Sequence, residues 1–172
     1  FQAVTARTAG FATIDFSATR PGNDFLFMFL MFVGGASGST AGGIKVNTAM
    51  ILLVAGMASI NGRPRTEVFG RELPVAQVTR ALALFLLAIL ALFLVVVALA
   101  ITEVHNVEAG RFGFLDLLFE ATSAVGTTGL SRGITADLTE PGKVVLAIGM
   151  YLGRLGPLTI ALGLALKERR AV

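Results

Sequence analysis

The chain has 172 residues, of which 55% are hydrophobic and 15% are charged, and its mean hydropathy is +0.80. Because soluble proteins carry about 25% charged residues on average, this composition favours a membrane protein. The net charge of +3 comes from basic residues that flank apolar segments, so no basic face is left to bind nucleic acid. The chain has no cysteine and one histidine, His105, which excludes a disulfide framework and a zinc site.

The first apolar stretch runs from about residue 25 to residue 60 and is interrupted at 34–43 by the sequence GGASGSTAGG. A spanning helix needs roughly 20 apolar residues. This stretch is longer and broken, which predicts two half-helices joined by irregular backbone. The stretches at about 78–101 and 144–166 have the length of a spanning helix, and the latter contains Arg154.

A fourth apolar piece, at 112–125, is too short to span the membrane. A stretch of about 10–14 apolar residues is typical of a re-entrant or interfacial segment, and this one ends at 126–129 (GTTG), a sequence suited to a chain reversal. Basic residues dominate around residue 65 and at the C-terminus, whereas acidic residues dominate 102–141. By the positive-inside rule, the basic segments are cytoplasmic and 102–141 lies outside, together with residues 1–14.

The chain contains an internal repeat. Thr8-Ala9-Gly10-Phe11 recurs as Thr127-Thr128-Gly129-Leu130 at an offset of 119 residues. Just upstream, FQA and TA match FEA and SA at an offset of 118 residues. Each copy precedes a polar segment and an inward-running span. The repeated unit is therefore a short helix, a glycine turn, an outer loop and a spanning helix.

Each glycine turn is suited to a dehydrated cation. A helix that ends halfway through the membrane directs its partial negative charge at the membrane centre, and the turn that follows presents carbonyls that can replace a hydration shell. Gly10 and Gly129 permit the positive φ that such a turn requires, and Thr8, Thr127 and Thr128 can add hydroxyl oxygens. A single T-x-G sequence is more often an ordinary turn, but two copies in the same context favour an ion pathway.

Four segments carry a family resemblance: FQAVTARTAGFATID, LMFVGGASGSTAGGIKV, FEATSAVGTTGLSRGITADL and MYLGRLGPLTIAL. They resemble, in this order, the membrane subunit of Ktr-type bacterial potassium transporters of the Trk/Ktr/HKT superfamily. The resemblance implies an all-α membrane protein of potassium-channel-like M1-P-M2 repeats, in which a helix, a re-entrant pore helix and a second helix surround one pore. It places the third and fourth of four repeats in this chain, with a broken M2 helix in the first copy.

The resemblance divides the chain into three parts. Residues 1–60 correspond to a partial third repeat (the end of a pore helix, a filter and the broken M2 helix), 61–77 to a cytoplasmic linker, and 78–172 to the fourth repeat with a short cytoplasmic tail. The residues implied to form the potassium filter are Thr8, Ala9, Gly10, Phe11, Thr127, Thr128, Gly129 and Leu130. Because the chain starts without Met or a signal peptide, it is expected to be a piece of a longer protein that contains the first two filters. The resemblance implies that a serine in place of glycine in those filters would permit sodium, so potassium selectivity and sodium coupling stay open.

The glycine-rich break is interpreted as a gate. A phosphate-binding loop requires G-x-x-x-x-G-K-[ST] after a strand, whereas here Ile44 separates Gly43 from Lys45 and an apolar helix precedes the break. Irregular backbone at membrane depth must line water or pack on protein, and the resemblance implies an intramembrane gating loop. A glycine kink packed against a neighbouring helix is the alternative. The gating residues are expected to be Gly34, Gly35, Gly38, Ser39, Thr40, Gly42, Gly43, Lys45 and Arg154.

Two cationic and two acidic side chains lie in or near the apolar segments, and each is a candidate functional group. A charge at the bilayer centre costs at least about 2.5–3.5 kcal/mol, so Arg154 must face water or a partner. The carbonyls of the broken loop are a plausible partner, and the resemblance likewise implies an arginine bordering the gate; a purely structural arginine is the alternative. Lys45 either joins the gate or snorkels to the cytoplasmic side. Asp116 and Glu120 either attract cations at the outer mouth or are solvated or capped by amides, and His105 is expected in a loop without a site role.

The function that follows is potassium uptake across the bacterial cytoplasmic membrane by a multi-pass protein, not an enzyme, with no cofactor beyond the transported ion. The resemblance implies a homodimer and cytoplasmic nucleotide-binding regulatory subunits of the RCK type, and the lipid bilayer is the remaining partner. The alternative is a non-transport membrane subunit, or an intramembrane enzyme, that uses the glycine-rich break for helix or lipid packing. Enzyme chemistry has few groups available, because the spans offer only Arg154 and Lys45 as charges.

Overall fold

The computed structural model describes residues 1–36, 38–39, 41–62, 65–68 and 71–155. Within these residues the chain is mainly helical, as predicted. The described α-helices are α1 (Gln2–Thr5), α2 (Pro21–Phe32), α3 (Val46–Ile60), α4 (Val75–Thr102), α5 (Val104–Glu108), α6 (Phe114–Val125) and α7 (Glu140–Leu155). An antiparallel hairpin of two-residue strands, β1 (Glu67–Val68) and β2 (Arg71–Glu72), departs from the all-α expectation.

The internal repeat predicted from the sequence is also a repeat of the backbone. The left-handed residues Thr8 and Gly10 (φ 71° and 76°) correspond to Thr127 and Gly129 (φ 51° and 91°) at the same offset of 119 residues. Short 3-10 helices follow at the same spacing, Phe16–Ala18 and Thr135–Asp137, and α2 and α7 then begin at Pro21 and Glu140. The two copies therefore share their local conformation from the turn to the start of the next helix.

Helix α4 is the one helix among the described residues that is long and apolar enough to cross a membrane. It has 28 residues, and only 22% of its most apolar window is buried within the chain. The helix begins at Val75 after Pro74, a residue compatible with a helix start, so the linker predicted at 61–77 is shorter than expected. The predicted span at 144–166 is described as α7 only to Leu155, and its remainder, with the basic C-terminal tail, lies outside the described residues.

Helix α6 occupies the centre of the fold. It packs against α2, α4 and α7, and from Phe119 to Val125 all its residues are buried. One apolar cluster joins its side chains to α4 and α7, and a second joins Phe119 to Phe16 and Met31 of the first copy. The piece expected to be too short to span is thus a 12-residue helix buried in protein rather than lying on a surface.

The first apolar stretch is broken as predicted. Helix α2 ends at Phe32 and α3 begins at Val46. The ends of the break are tied together, because the Gly34 amide donates to the Ile44 carbonyl at 2.7 Å and the Ile44 amide donates to the Phe32 carbonyl at 2.9 Å. We call residues 33–45 the glycine loop. Of its expected gating residues, Thr40 lies outside the described residues.

Candidate ion-conduction site

The two glycine turns meet at the centre of the fold. A β-carbon built at Gly10 would lie 2.2 Å from the backbone oxygen of Thr128, and one built at Gly129 would lie 4.0 Å from the Cα of Gly10. Real β-carbons do not approach a carbonyl oxygen at 2.2 Å. Glycine at position 10 therefore permits both the left-handed backbone and the contact between the two turns.

Each turn closes the C-terminal end of a short helix in a similar way. The amides of Ala9 and Gly10 both donate to the Thr5 carbonyl, at 3.0 and 3.1 Å, and the Thr128 amide donates to the Ser123 carbonyl at 2.9 Å. Side-chain hydroxyls at the equivalent helix positions brace the turns. Thr5 donates to the Phe11 carbonyl at 2.8 Å, and Ser123 accepts from the Gly129 amide at 3.1 Å.

The threonine hydroxyls predicted to face the ion are engaged within the protein. Thr8 donates to the Arg7 carbonyl at 2.5 Å, and Thr128 donates to the Ala6 carbonyl at 3.4 Å. The Leu130 side chain is buried in the cluster with Phe119, so only its backbone is available to an ion. This arrangement favours backbone carbonyls over hydroxyls as the ion ligands.

The glycine loop lies directly against the second turn. The Gly42 amide donates to the Thr127 hydroxyl at 3.0 Å. A β-carbon at Gly42 would lie 2.3 Å from that hydroxyl oxygen, and one at Gly126 would lie 2.6 Å from the Met31 carbonyl oxygen. The end of α2, the loop and the turn are thus packed backbone to backbone, which a larger residue at either glycine would prevent.

Other glycines of the loop are required for its own shape. A β-carbon at Gly34 would lie 2.1 Å from the Gly42 carbonyl oxygen, and Gly43 combines a φ of 68° with a distance of 2.8 Å to the Phe32 carbonyl oxygen. Gly38 has a φ of 87° but open space around it, whereas a β-carbon at Gly35 would meet the Ser39 hydroxyl at 2.8 Å.

Lys45 contacts the glycine loop. Its ammonium donates to the Ser39 carbonyl at 3.0 Å and to the Ala41 carbonyl. The side chain therefore turns back over the loop that precedes α3. A cation held by loop carbonyls stabilises one conformation of that loop.

Arg154 lines a cavity of about 310 Å³ beside the second turn. The cavity is also lined by residues of α6, the turn and α7: Ser123, Thr127, Thr128, Gly129 and Met150. Arg154 follows Gly153, at which a β-carbon would lie 2.0 Å from the Val125 carbonyl oxygen. The close packing of α7 on the end of α6 therefore brings a guanidinium next to the turn residues.

Asp116 and Glu120 are capped rather than freely solvated. Asp116 accepts from the Gly113 amide at 2.7 Å and pairs with Arg132. Glu120 is 4% exposed and accepts from the Arg132 amide at 3.0 Å and from the Thr135 hydroxyl at 2.9 Å. Glu120 is therefore capped by an amide, which is one form of the second alternative, and its hydrogen bonds hold the segment that follows the second turn. His105 is exposed as expected, although in the short helix α5.

Two buried carboxylates were not singled out from the sequence. Asp24 and Glu103 are both 0% exposed. Asp24 pairs with Arg132, and Glu103 accepts from the amide and hydroxyl of Thr139 at 3.0 and 2.6 Å. A signal was present for Asp24, since a carboxylate at the start of the apolar run DFLFMFLMF needs a partner if the run is buried.

Two apposed glycine turns at the ends of short helices, with α6 packed on a helix of spanning length, are typical of a helical membrane transport protein. The chain belongs to the TrkH family, described as cation transport protein, whose match covers residues 1–170.

Named relatives agree with the family. The potassium/sodium uptake protein NtpJ of Enterococcus hirae is 44% identical over 99% of this chain and 37% of its own length. Ktr system potassium uptake protein B of Bacillus subtilis is 40% identical over 98% of this chain and 36% of its own length. The crystal structure of the potassium transporter TrkH from Vibrio parahaemolyticus matches with a TM-score of 0.69 and 26% identity, over 92% of this chain and 34% of the other. The chain therefore spans about a third of the length of the relatives it matches.

Proposed function

We propose that this chain contributes part of the pore of a potassium uptake protein, in which the backbone carbonyls of residues 8–11 and 127–130 bind the dehydrated ion. The observation that carries the proposal is the meeting of the two turns, where Gly10 and Thr128 are in backbone contact. Carbonyls held at the C-terminal ends of helices favour a cation. The relatives named as potassium uptake proteins support potassium as that cation.

In this proposal the repeated units are M1-P-M2 repeats. Helix α6 is the pore helix of the second copy, α4 and α7 are its flanking helices, and α2 with α3 forms the broken M2 helix of the first copy. The filter residues are Thr8 to Phe11 and Thr127 to Leu130, as the sequence predicts. Whether sodium permeates or is coupled to potassium depends on the complete pore. The ion-flux experiment at the end of this subsection tests it.

We further propose that the glycine loop gates this pathway. Its Gly42 amide contacts Thr127 of the second turn, and Lys45 holds the loop carbonyls. Because loop and turn share this contact, displacement of the loop would open the space below the turns. Gly34, Gly35, Gly38, Ser39, Thr40, Gly42 and Gly43 form the gate in this proposal, with Lys45 and Arg154 as its cations.

The assembly is proposed from the family resemblance of the sequence. The protein resides in the bacterial cytoplasmic membrane, pairs as a homodimer, and binds cytoplasmic RCK-type regulatory subunits through the basic stretch at 63–80 and the tail at 167–170, for which anionic lipid is the alternative partner. Neither an enzymatic activity nor a cofactor is part of the proposal. Copurification of the protein with a nucleotide-binding subunit, lost when Arg71 and Arg80 are changed to glutamate, would test the docking.

The experiment that tests the function is ion flux. The protein that carries this chain is expressed in bacteria lacking their own potassium uptake systems, and purified protein is reconstituted in liposomes. We expect growth at limiting potassium and a potassium flux that exceeds the flux of empty vesicles. Absence of flux for potassium and sodium in protein shown to be folded would overturn the proposal, and a sodium flux alone would overturn its choice of ion.

A further inference from the structure

A buried ion pair joins the two repeats beside the turns. Asp24, in the first turn of α2, is 0% exposed, and its carboxylate receives a hydrogen bond from the Nη1 of Arg132, whose side chain is 13% exposed. The same guanidinium donates through Nε to Asp116 of α6 at 2.5 Å. It also approaches the Thr19 hydroxyl at 3.4 Å and the Ser17 carbonyl at 3.5 Å.

The backbone of Arg132 is held in place by contacts within the second repeat. Arg132 follows the turn residue Gly129 by three positions, and its amide donates to a Glu120 carboxylate oxygen at 3.0 Å. The Ser131 hydroxyl donates to the same oxygen, and the Gly133 amide donates to Ser131 at 2.9 Å. The segment after the second turn is therefore held on α6, while the arginine side chain extends to the first repeat.

Asp24, the partner of Arg132 in the first repeat, is held in place by contacts within that repeat. The Thr19 hydroxyl lies within hydrogen-bonding distance of the Asp24 carboxylate and of the Phe16 carbonyl, and its one proton is donated to either of them. Phe16 is buried against Phe119. Thr19 thus belongs to the segment that connects the first turn to α2, and Asp24 belongs to the first turn of α2 itself. Arg132 links the segments that leave the two turns, and we call this contact, made by Arg132, Asp24, Asp116 and Thr19, the cross-repeat clamp.

Stability alone is a weak reason for such a contact. A buried ion pair loses in desolvation much of what it gains in attraction, so apolar residues of similar volume often stabilise a protein as well or better. Its distinct property is directional, because the planar guanidinium fixes the relative position of two carboxylates. Between these anchors the turns touch at Gly10 and Thr128, where a small shift changes the spacing of carbonyls around an ion.

We propose that Arg132 is a positioning residue that sets the separation of the two turns through Asp24, and so controls discrimination between potassium and the smaller sodium ion. The inference rests on the proposed function. Selectivity depends on the size of the carbonyl cage and on the number of its ligands, both of which follow from the separation of the turns. Since Asp24 and Asp116 both bind the Arg132 guanidinium, the two carboxylates hold the segments that follow the turns in a fixed relative position.

The test compares ion discrimination among charge variants of the complete transporter. Purified wild type, Asp24→Asn, Arg132→Gln, the double variant and Arg132→Lys are reconstituted in liposomes, and the permeability ratio of potassium to sodium is measured beside the total flux. We expect the ratio to fall at least threefold in Asp24→Asn, in Arg132→Gln and in the double variant. Arg132→Lys keeps the charge without the planar guanidinium. Its permeability ratio should lie between those of the wild type and Arg132→Gln.

The outcomes separate a positioning role from a merely structural one. Arg132→Gln leaves the buried Asp24 carboxylate unpaired and is expected to accumulate poorly, whereas the double variant removes both charges and should recover its level in the membrane but not its selectivity. Lys143→Gln breaks an exposed pair with Glu140 on α7 and is the matched control, with an unchanged ratio. A wild-type ratio in Asp24→Asn and in the double variant would overturn the clamp. A wild type without potassium flux would instead overturn the proposed function.

Discussion

At position 10, both the local backbone conformation and the contact between the two repeats require glycine. Its φ of 76° is available to an L-residue only with strain, and the space where a β-carbon would lie is occupied by the Thr128 carbonyl oxygen. At Gly129, in contrast, the φ of 91° is the main constraint, because the nearest atom to a built β-carbon is 4.0 Å away. The equivalent glycines of the two copies therefore differ in what they tolerate.

We predict that Gly10→Ala abolishes potassium flux, while Gly129→Ala reduces flux and selectivity less severely. Both variants carry the strain of a left-handed L-residue, about 1–2 kcal/mol, but only Gly10→Ala also forces the two turns apart. Flux and the potassium to sodium ratio are measured in liposomes. Gly56→Ala, in α3 with open space around the glycine, is the control and should transport as wild type. Equal effects of the two turn variants would contradict this distinction.

Residue-level prediction succeeded where the backbone sets the requirement and failed where partners come from distant sequence. The positive φ at both turns follows from glycine and its neighbours, and the structure confirms it at Gly10 and Gly129. The engagement of the Thr128 hydroxyl by the Ala6 carbonyl joins residues 122 positions apart. No local pattern reports such a pairing, which is also why the burial of Asp24 by Arg132 was missed.

At the scale of elements, the glycine loop and α7 both approach the second turn. The loop reaches Thr127 through Gly42, and Arg154 of α7 lines the cavity beside the same turn. In the proposed gating role, the guanidinium beside the turn would repel a cation bound there.

We predict that Arg154→Ala raises potassium leak, because it removes the positive charge from the cavity beside Thr127, Thr128 and Gly129. Like charges repel more strongly inside a protein than in bulk water, so flux without stimulus should rise several-fold. Potassium efflux from loaded vesicles measures it. Arg154→Lys preserves the charge and should leave the leak near its wild-type value. Unchanged efflux in Arg154→Ala would argue for a purely structural arginine.

A buried carboxylate joins the end of α4 to the start of α7, beside the apolar contacts between the two helices. Glu103 ends α4, and its carboxylate accepts from Asn106 at 2.6 Å and from the amide and hydroxyl of Thr139, just before α7. The Thr139 hydroxyl in turn accepts from the Gly142 amide at 3.2 Å, which caps the start of α7. Gly142 is required here, because a β-carbon would lie 2.1 Å from the Glu103 carboxylate oxygen.

We predict that Glu103→Ala destabilises the folded protein, because it leaves the donors of Asn106 and Thr139 without an acceptor. An unsatisfied buried group costs about 1–3 kcal/mol, and for a domain of this size each kcal/mol lowers the melting temperature by about 2–4 °C. Thermal unfolding in detergent should therefore shift down by about 5 °C or more. Glu103→Gln retains an acceptor oxygen, so its melting temperature should fall less than that of Glu103→Ala. Glu108→Ala, at an exposed site on α5, should unfold as wild type does.

Element bounds were predictable to within a few residues where composition changes sharply. The break between Phe32 and Val46 and the start of α6 at Phe114 follow from glycine content and apolar length. The start of α4 at Val75 was placed three residues late, since Ala76 and Gln77 continue the helix beyond the apolar stretch. The hairpin of β1 and β2 was missed because each strand has only two residues and carries charged side chains.

At the scale of the whole molecule, the repeat was predictable and the contacts between its copies were not. Matching residues at an offset of 119 predicted a shared local conformation, and the turns, 3-10 helices and following helices confirm it. The packing of α6 on α2, and the ion pair between Arg132 and Asp24, arise only when the two copies meet. Periodicity specifies each unit, whereas the interface depends on side chains with no counterpart in the other copy.

Orientation in the membrane follows from charge asymmetry and is open to a direct test. This chain has no cysteine, so a cysteine introduced into it is its only thiol. The side chain of His105, in the segment predicted to lie outside, is 94% exposed, and that of Arg65, in the segment predicted to be cytoplasmic, is 68% exposed. Helix α4 separates the two positions and has the length to cross the bilayer.

We predict that His105→Cys reacts with a membrane-impermeant maleimide in intact cells, whereas Arg65→Cys reacts only after the membrane is permeabilised. The reason is the positive-inside rule, which retains arginine-rich loops in the cytoplasm. Leu99→Cys, at a fully buried position of α4, controls for non-specific labelling and should stay unmodified in both conditions. Labelling of both exposed positions from one side would mean that α4 does not cross the membrane. If Arg65→Cys reacted in intact cells and His105→Cys reacted only after permeabilisation, the orientation in the membrane would be opposite to the predicted one. The glycine loop would then face the outside rather than the cytoplasm.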